Sequence, residues 1–420
     1  MKTLTILTNK PQLLHFYLST KWSKFKKLGL RWVFKEILIR SFKELGWLLL
    51  LPLGICLHLL NFRRVPILIQ HIGHLTSEPD TFLKGQALGF IPKRRYFILA
   101  PTQRTANRHL IQYWRKHLTI FSNPLLCLFL EMATRRYFAH YKSEFHQFNV
   151  FGGTQGVYHM NKLWDQRPPV IKLTASDESW GRERFIELGI PEGKWFVCLH
   201  VREGGFLPQN EPLHDFRNAK VLNTQLALEE INRRGGIVVR VGDASMSPLT
   251  LPGVIDYVHH PLKSDRMDVL LCAKARFFLG CSSGLAFLSM IFGIPIAHAN
   301  MIPVDTLGFR YCDLSIPKRI WSHAQGRYLR FSELFNSKDG SHIVSQQYRD
   351  AGLRPDENTP EDILDLTLEM LDRLEASFKS SQEDEELHQR YLSFLKPGHY
   401  SYGAGSRVGL AFLRKNSELW

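Results

Sequence analysis

The sequence has few cysteines, and none of them belongs to a recognisable motif. Its six cysteines among 420 residues are scattered without CxxC spacing, and several lie inside apolar runs. A thiol in such a run behaves as a small hydrophobic group, so the pattern indicates a reducing compartment and no zinc site. The cysteines are Cys56, Cys127, Cys198, Cys272, Cys281 and Cys312.

The sequence also lacks the motifs of nucleic-acid-binding proteins. It has no basic helix-turn-helix pattern, no zinc finger and no aromatic-rich strand of the kind that stacks on bases. Internal repeats and low-complexity tracts are absent as well. We therefore expect no nucleic-acid partner, although the chain is strongly basic.

The positive charge is concentrated near the N-terminus. The chain has 54 Lys and Arg against 39 Asp and Glu, a formal net charge of +15 that attracts polyanions. Many basic residues of the first 64 flank an apolar segment, a pattern typical of attraction to anionic lipid headgroups. They are Lys21, Lys24, Lys26, Lys27, Arg31, Lys35, Arg40, Lys43, Arg63 and Arg64.

That apolar segment, residues 45–60, has no charged side chain and is slightly short for a bilayer span of about 20 residues. It lies too far from the N-terminus for a secretory signal. Three alternatives remain: a buried core helix, a monotopic or re-entrant anchor behind a basic helix, and a transmembrane helix. We expect a cytoplasmic protein that is peripheral or monotopic at the inner face of the membrane, with an anionic membrane surface as a partner.

The length and the 44% hydrophobic content predict two globular domains. The run VPILIQHIGHL after Arg64 predicts the first strand of a Rossmann-like lobe, and the polar stretch at 174–193 predicts a linker. We predict a membrane-associating segment at 1–64, a first lobe at 65–190, a second lobe at 191–345 and a helical tail at 346–420. Because the first strand is expected only after Arg64, the N-terminal segment should be separable.

Strands and helices alternate clearly in the second lobe. The predicted strands WFVCLHVRE, IVVRVGD, GVIDYV, RFFLG and IPIAHAN are separated by helices such as VLNTQLALEEINRR and SDRMDVLLCAKA. This alternation predicts an α/β fold with a parallel sheet and helices on both faces. Farther on, Asn358 or Thr359 is the predicted N-cap of a helix whose first residue is Pro360.

Ligands of open parallel sheets bind beyond the carboxyl ends of the strands, so the polar residues there are the site candidates. A serine pair and a glycine before a helix suit a diphosphate, and two arginines suit its charge. The three strand ends supply His200, Arg202 and Glu203; Arg240, Gly242 and Asp243; and Ser282, Ser283 and Gly284. The alternatives are an N-cap for the serines, salt bridges for the arginines and a turn for Asp243.

Several of these segments resemble a glycosyltransferase family of bacterial surface-polysaccharide, O-antigen and capsule gene clusters. The segments are CLHVRE, FRN at 216–218, RGGIVVRVGD, PGVIDY, KSDRMDVLLCAKARFFLGCSSGL, FGIP, IPK and SRVGLAFLRKN. The resemblance runs from about residue 65 to the C-terminus and is dense between 196 and 335. His-Val-Arg followed by a later Ser-Ser pair is also similar to the diphosphate-binding elements of GDP-fucose transferases.

The resemblance implies a GT-B-type enzyme with two Rossmann-like lobes that needs no metal or other cofactor. It would transfer a sugar from a nucleotide-diphosphate donor in the second lobe to a glycan or lipid-linked acceptor at the first. Arg202 would hold the β-phosphate with support from Ser282 and Ser283, and the donor-site candidates also include Arg217, Asn218, Lys263 and Asp265. Because Glu203 and Gly204 follow Arg202, where fucosyltransferases have Arg and Asp, the identity of the donor does not carry over.

Two further features concern the chemistry. The chain has no Asp-x-Asp, the motif that holds a divalent cation beside the diphosphate in single-lobed transferases. Candidates for the general base are His74, Glu78 and Asp80, placed in the predicted loop after the first strand. The alternative roles are a helix cap for His74 and a first-turn acid for Glu78. The rival functions are an inactive scaffold that binds nucleotide sugar or polysaccharide and a sugar-nucleotide epimerase.

Overall fold

The computed structural model describes residues 10–135, 154–206, 211–399 and 401–419. Within these ranges, the side chains of residues 10–28 and 154–155 are not described, so the predicted lipid contacts of Lys21, Lys24, Lys26 and Lys27 lie outside the described part. The chain divides into two compact units, Met1–Gly156 and Val157–Trp420.

Among the described residues, the first unit contains a small parallel sheet and five helices. Its three strands lie in the order β1-β2-β3, and all pairs are parallel. The strands are β1 Phe62–Arg64, β2 Arg95–Leu99 and β3 Thr119–Phe121. The helices are α1 Lys10–Leu49, α2 Leu51–Leu59, α3 Ile72–Ala87, α4 Arg108–Trp114 and α5 Pro124–Ala133, with a 3-10 helix at Thr102–Arg104.

The sequence-based prediction was wrong for the start of this unit. The run VPILIQHIGHL is a loop followed by α3, and the first strand is β1, which pairs with β2 in the register Phe62↔Arg95. Helix α3 is buried at almost every position from Gly73 to Gly85, so it has no polar face to reveal a helical period. The strand itself has three residues, two of them arginines, and gives no apolar signal.

The second unit contains a seven-stranded sheet in which every pair is parallel. Its order is β13-β9-β8-β7-β4-β5-β6, so the chain moves outward from β4 in one direction and, from β7, in the other. This is the Rossmann strand order with one added edge strand, and the direction reverses between β4 and β7. The strands are β4 Phe196–His200, β5 Ile237–Arg240, β6 Val254–Ile255, β7 Phe278–Gly280, β8 Ile296–Met301, β9 Leu314–Pro317 and β13 Arg407–Val408. The predicted α/β fold with Rossmann-like lobes is confirmed.

A second, antiparallel sheet in this unit has the order β11-β10-β12. Its strands are β10 Arg319–Ser322, β11 Arg327–Tyr328 and β12 Leu353–Asp356. Residues 346–420 are therefore more than the helical tail we predicted, because they supply β12 and the edge strand β13. Short strands of this kind carry too few residues for an alternating pattern to be visible.

Eleven described helices belong to the C-terminal part of the chain. They are α6 Thr154–Trp164, α7 Ala175–Glu187, α8 Glu211–His214, α9 Gln225–Arg233, α10 Asp265–Lys274, α11 Ala286–Ile291, α12 Phe331–Asn336, α13 Ser345–Asp350, α14 Pro360–Leu374, α15 Gln382–Phe394 and α16 Leu410–Lys415. The 3-10 helices are Asp215–Arg217, Val221–Thr224, Tyr257–His259, Asp339–Ser341 and Ser417–Leu419.

The stretch at 174–193, which we predicted as a linker, lies inside the second unit and contains α7. Asp177 pairs with Arg266 of α10 at 2.7 Å, and Gly181 packs against Leu270 of the same helix. These contacts hold α7 against α10. At the other end of the unit, Thr359 caps α14 through reciprocal bonds with Asp362, with Pro360 first in the helix, as predicted.

Within the described residues, no single helix has both the length and the apolar content to cross a bilayer. The segment Gly29–Leu49 of α1 and helix α2 meet these criteria only together, and they are bent by 55°.

Candidate functional site

The site candidates of the second unit gather where the strand order reverses. Residues His200 of β4 and Gly280 of β7 are paired in the sheet, so the segments that follow these strands start side by side. The backbone N–H of Arg202 donates to Cys281 Sγ at 3.1 Å and joins the two segments. This is the position at which open parallel sheets bind their ligands.

His200 is buried at the end of β4, and its Nδ1 lies 2.9 Å from the carbonyl oxygen of Val241. Because a carbonyl oxygen only accepts, Nδ1 carries the proton and Nε2 carries the lone pair. Burial lowers the pKa of His200, so the ring is neutral at neutral pH. His200 thus offers an acceptor at the strand end, while the arginines supply the positive charge.

Two arginine side chains lie close together at this edge. Arg217 is half-buried, and its Nε donates to the Ser282 carbonyl oxygen at 3.0 Å. Burial, and then the charge of Arg202, lower the pKa of Arg217 to about 10. Among the described residues, no carboxylate lies within ion-pair distance of Arg217, whereas Arg202 has Glu211 at 3.4 Å. The pair therefore carries positive charge that the surrounding residues only partly balance.

A third cation, Lys318, follows β9 and completes the group. Lys318 is 3% exposed, and its Nζ donates to the Asn218 carbonyl oxygen at 2.7 Å. Burial lowers its pKa, against the opposing effect of Glu357. The Asn218 side chain donates to Glu211, the same carboxylate that meets Arg202. Glu211 thus links Arg202 to the segment that contains Arg217.

A cavity of about 400 Å³ opens beside these groups. It has a mixed lining of carboxylates, lysines, backbone and one aromatic ring, which suits a ligand with hydroxyl groups and a ring. The lining residues are Glu203, Gly204, Asp215, Phe216, Asn218, Ala219, Lys220, Lys318, Pro355 and Glu357.

Arg240, the other arginine predicted to meet a diphosphate, lies in a different environment. It is 1% exposed and forms ion pairs with Glu203 at 2.5 Å and Asp256 at 3.1 Å. Its Nη1 also donates to the Ser247 carbonyl oxygen at 2.6 Å. Two carboxylates therefore balance its charge, and its visible role is to hold Glu203 at the rim of the cavity.

The serine pair lies at the predicted strand end but just before its helix. Helix α11 begins at Ala286, with Leu285 as its N-cap residue. The Ser282 hydroxyl donates to the Ile302 carbonyl oxygen at 2.9 Å, while Ser283 Oγ accepts from the Leu285 N–H at 3.4 Å. Ser283 and Gly284 therefore remain donor-site candidates, and the Ser282 proton is already engaged.

The remaining candidates of this unit occupy local pairs. Asp243 accepts from the backbone and side chain of Ser245, the turn contact that was its alternative role. Lys263 pairs with Asp268 at 2.5 Å, and Asp265 is the first residue of α10. None of these contacts involves Arg202, Arg217 or Lys318.

The three base candidates lie in the first unit, inside α3 and not in a loop. His74 Nδ1 lies 2.9 Å from Glu78 Oε1, and Asp80 pairs with Lys84 at 2.7 Å. The His74 side chain is 20% exposed, whereas those of Asp80 and Lys84 are 1% and 4% exposed. The His74–Glu78 pair has the arrangement of a general base, in which a carboxylate orients a histidine. The buried Asp80–Lys84 pair has the arrangement of a structural ion pair.

Sequence reasoning missed Lys318, Glu211 and His214. Lys318 follows a strand directly, so the rule that selected Arg202 also selects it, and it stands in the IPK segment. Glu211 and His214 belong to the short helix α8 and act through tertiary contacts that no pattern reveals. Burial and the charges of Arg217 and Arg202 lower the pKa of His214 to about 4, so this neighbour is neutral at neutral pH.

Within the part of the chain that the structure describes, no group of three His, Cys, Asp or Glu side chains is placed to hold a metal ion. The strand order and the cationic edge define the class of this chain: a Rossmann-type α/β protein with a candidate anion site at its switch point.

Comparison with known proteins adds three solved structures. No family model and no curated protein matches the sequence. A family 9 glycosyl transferase from Veillonella parvula is 12% identical over 59% of this chain and 67% of its own, with a TM-score of 0.30. The iron-containing dodecameric TibC is represented by a heptosyltransferase complex with ADP-D-β-D-heptose (15% identity, 57% of this chain, TM-score 0.33). A second TibC structure, from enterotoxigenic E. coli, is 16% identical over 56% of this chain, with a TM-score of 0.34. The chain spans 57% of the length of each TibC chain.

Proposed function

We propose that this chain is a glycosyltransferase that moves a sugar from a nucleotide-diphosphate donor to a glycan or lipid-linked acceptor of bacterial surface polysaccharide. The observation that carries the proposal is the pair Arg202 and Arg217 at the switch point of a Rossmann sheet, with Arg217 half-buried and, among the described residues, hydrogen-bonded only to the Ser282 carbonyl oxygen. A partly buried cation that has no carboxylate beside it attracts an anion. A diphosphate supplies that anion with oxygens matched to guanidinium geometry.

The cavity beside the arginines suits the rest of the donor. Its volume of about 400 Å³ lies in the range of small-molecule sites. Glu203, Asp215 and Glu357 offer acceptors for the hydroxyl groups of a ribose or sugar, and Phe216 offers a ring face. Lys318 lies at the boundary between this cavity and the arginine group and completes the positive charge.

In the proposed reaction, a base removes the proton of an acceptor hydroxyl, and the oxygen attacks the anomeric carbon of the donor. The bond from that carbon to the diphosphate breaks, and the diphosphate leaves with the electron pair. Arg202 and Arg217 stabilise the negative charge that develops on it, a role that a divalent cation has in other transferases. His74, oriented by Glu78, is the base we propose.

The proposal is tested with the full chain in a thermal-shift screen against nucleoside diphosphates and nucleotide sugars. A ligand that binds only the folded state raises the melting temperature. We expect a shift for at least one nucleotide, lost in Arg217→Ala. The matched control is Arg276→Ala, which removes an arginine that stacks on Trp195 and pairs with Glu375. No shift with any nucleotide, or equal shifts in both variants, contradicts the donor site.

Turnover separates this function from its rivals. A glycosyltransferase releases nucleoside diphosphate faster when a suitable acceptor is added. A scaffold binds the nucleotide sugar and produces no nucleoside diphosphate, with or without an acceptor. An epimerase converts the donor sugar without an acceptor. Chromatography of the nucleotide and sugar products distinguishes all three.

A further inference from the structure

The helices α1 and α2 expose an unusual amount of apolar surface. Between Gly29 and Leu49 no side chain is buried, and in α2 only Gly54 is buried. Leu59, Leu49 and Leu38 are 77%, 71% and 70% exposed. Soluble helices direct such residues toward a core, so this exposure does not fit the buried core helix that the sequence left open.

Helix α5 holds the two exposed helices in place. Lys43 and Glu44 of α1 pair with Glu131 at 3.5 Å and with Arg135 at 3.2 Å, at the end of α5 and just beyond it. A side chain at Gly46 would collide with the Met132 sulfur, and one at Gly54 would collide with the Ala133 carbonyl oxygen. The close approach of these glycines shows that α1 and α2 are fitted to α5 and do not form a separate appendage.

Helix α5 also adds apolar surface of its own. Leu125, Leu126 and Phe129 are 68%, 41% and 49% exposed. The helix follows β3, is capped by Asn123 and packs on β2, so it belongs to the body of the first unit. The exposed apolar surface therefore continues from α1 and α2 onto a helix of the sheet layer.

The charges on this surface indicate what covers it. Arg31, Lys35 and Arg40 of α1 are exposed, and the sequence adds four lysines between residues 21 and 27, just before the break in α1 at Gly29. A second copy related by a two-fold axis would bring like charges together. An anionic bilayer instead accepts apolar side chains below its headgroups and neutralises the basic residues at their level.

We propose that α1, α2 and α5 form one docking surface for an anionic lipid bilayer, with Leu125, Leu126 and Phe129 entering the interface beside α1 and α2. This assigns to α5 a lipid contact that the apolar N-terminal segment alone does not predict. It is independent of the proposed enzymatic function.

The test is flotation of the full chain with phosphatidylcholine vesicles that contain or lack phosphatidylglycerol. The α5 variant is Leu125→Glu with Phe129→Glu. The matched control is Ile186→Glu with Leu222→Glu, because these side chains of the second unit are 57% and 60% exposed. We expect the α5 variant to lose about tenfold or more in partitioning, since two apolar contacts are lost and two negative charges face an anionic surface. The control variant should float like the unmodified chain.

Circular dichroism and thermal melting verify that both variants are folded, and a milder pair, Leu125→Ser with Phe129→Ser, replaces the α5 variant if it is not. Equal flotation of a folded α5 variant and the unmodified chain overturns the proposal. So does a chain that fails to float and instead forms a discrete dimer by light scattering, because the surface is then an interface between copies. Flotation that does not depend on phosphatidylglycerol or salt overturns the assignment of an anionic surface.

Discussion

Arg217 Nε lies 3.0 Å from the carbonyl oxygen of Ser282, and this hydrogen bond ties the FRN segment at 216–218 to the end of β7. The bond orients one edge of the guanidinium toward backbone. Because Arg202 follows the neighbouring strand β4, the two guanidinium groups share one end of the sheet. The first predictions concern this pair and the lysine next to it.

The first prediction is that Arg202→Ala abolishes measurable binding of the nucleotide donor and leaves the fold intact. Loss of one charge-assisted partner should cost roughly 2 to 4 kcal/mol of binding or transition-state stabilisation. Calorimetric titration measures the affinity, and Arg202→Lys, which keeps the charge but not the forked geometry, should recover part of it. An unchanged dissociation constant for Arg202→Ala excludes this residue from the diphosphate site.

The second prediction is that Lys318→Met weakens nucleotide binding without lowering stability. Methionine has a similar length and removes a buried charge, so the melting temperature of the free protein should stay the same or rise. The loss of one cation next to the diphosphate should weaken binding by about tenfold, or 1.4 kcal/mol. If the melting temperature falls and affinity is unchanged, Lys318 has only a structural role through its bond to Asn218.

The sequence predicted candidate residues at this sheet edge because β4, β5 and β7 are continuous apolar runs followed at once by polar residues. It did not separate Arg240 from Arg217, although both were candidates. The difference lies in their partners: Glu203 and Asp256 are distant in sequence from Arg240 and meet it only in the folded chain. The sequence pattern places an arginine near a strand end, but only tertiary packing determines whether carboxylates already balance its charge.

The first unit was harder to predict for related reasons. Helix α3 is buried on nearly all sides and therefore lacks the amphipathic period by which helices are recognised. The premise for separating residues 1–64, a first strand only after Arg64, was wrong. Strand β1 begins at Phe62, Arg63 donates to the His58 carbonyl oxygen, and Gly54 packs on α5. A chain that starts near Arg63 would lose these contacts and leave one side of α5 uncovered, so point substitutions are the better probe.

The third prediction is that turnover persists in EDTA. The sequence has no Asp-x-Asp motif, and two arginines and Lys318 are available to the leaving diphosphate. Activity should be equal before and after chelation within the error of the assay. Loss of turnover that Mn²⁺ restores would show that the leaving group needs a metal.

The fourth prediction separates catalysis from structure within α3. Glu78→Gln weakens the orientation and basicity of His74, so kcat should fall by about 10 to 100-fold while donor affinity is unchanged. Asp80→Asn instead breaks the buried ion pair with Lys84 and should cost about 3 to 5 kcal/mol of stability. In steady-state kinetics and thermal melts, Glu78→Gln should therefore lower mainly kcat, and Asp80→Asn should lower mainly the melting temperature. A stability loss without a change in kcat for Glu78→Gln makes its pair with His74 structural.

The last prediction concerns pH and a buried histidine of the large sheet. His298 of β8 is 3% exposed, and its ring nitrogens have no hydrogen-bond partner among the described residues. Burial lowers its pKa from 6.5 to about 4, with Arg310 acting in the same direction and Asp313 against it. A histidine with a lowered folded-state pKa binds fewer protons when folded, so its contribution to stability is lost as the pH falls from about 6.5 toward 4.

His298→Leu replaces the imidazole ring with an apolar side chain of similar volume and so removes this titration. The gain in stability of the variant over the unmodified chain should therefore be larger at pH 5 than at pH 7.5, by about 2 kcal/mol. The exposed His323 serves as the control, and the pH response of His323→Leu is the baseline for the comparison. If the two variants respond to pH in the same way, protonation of His298 does not limit the stability of the sheet in acid.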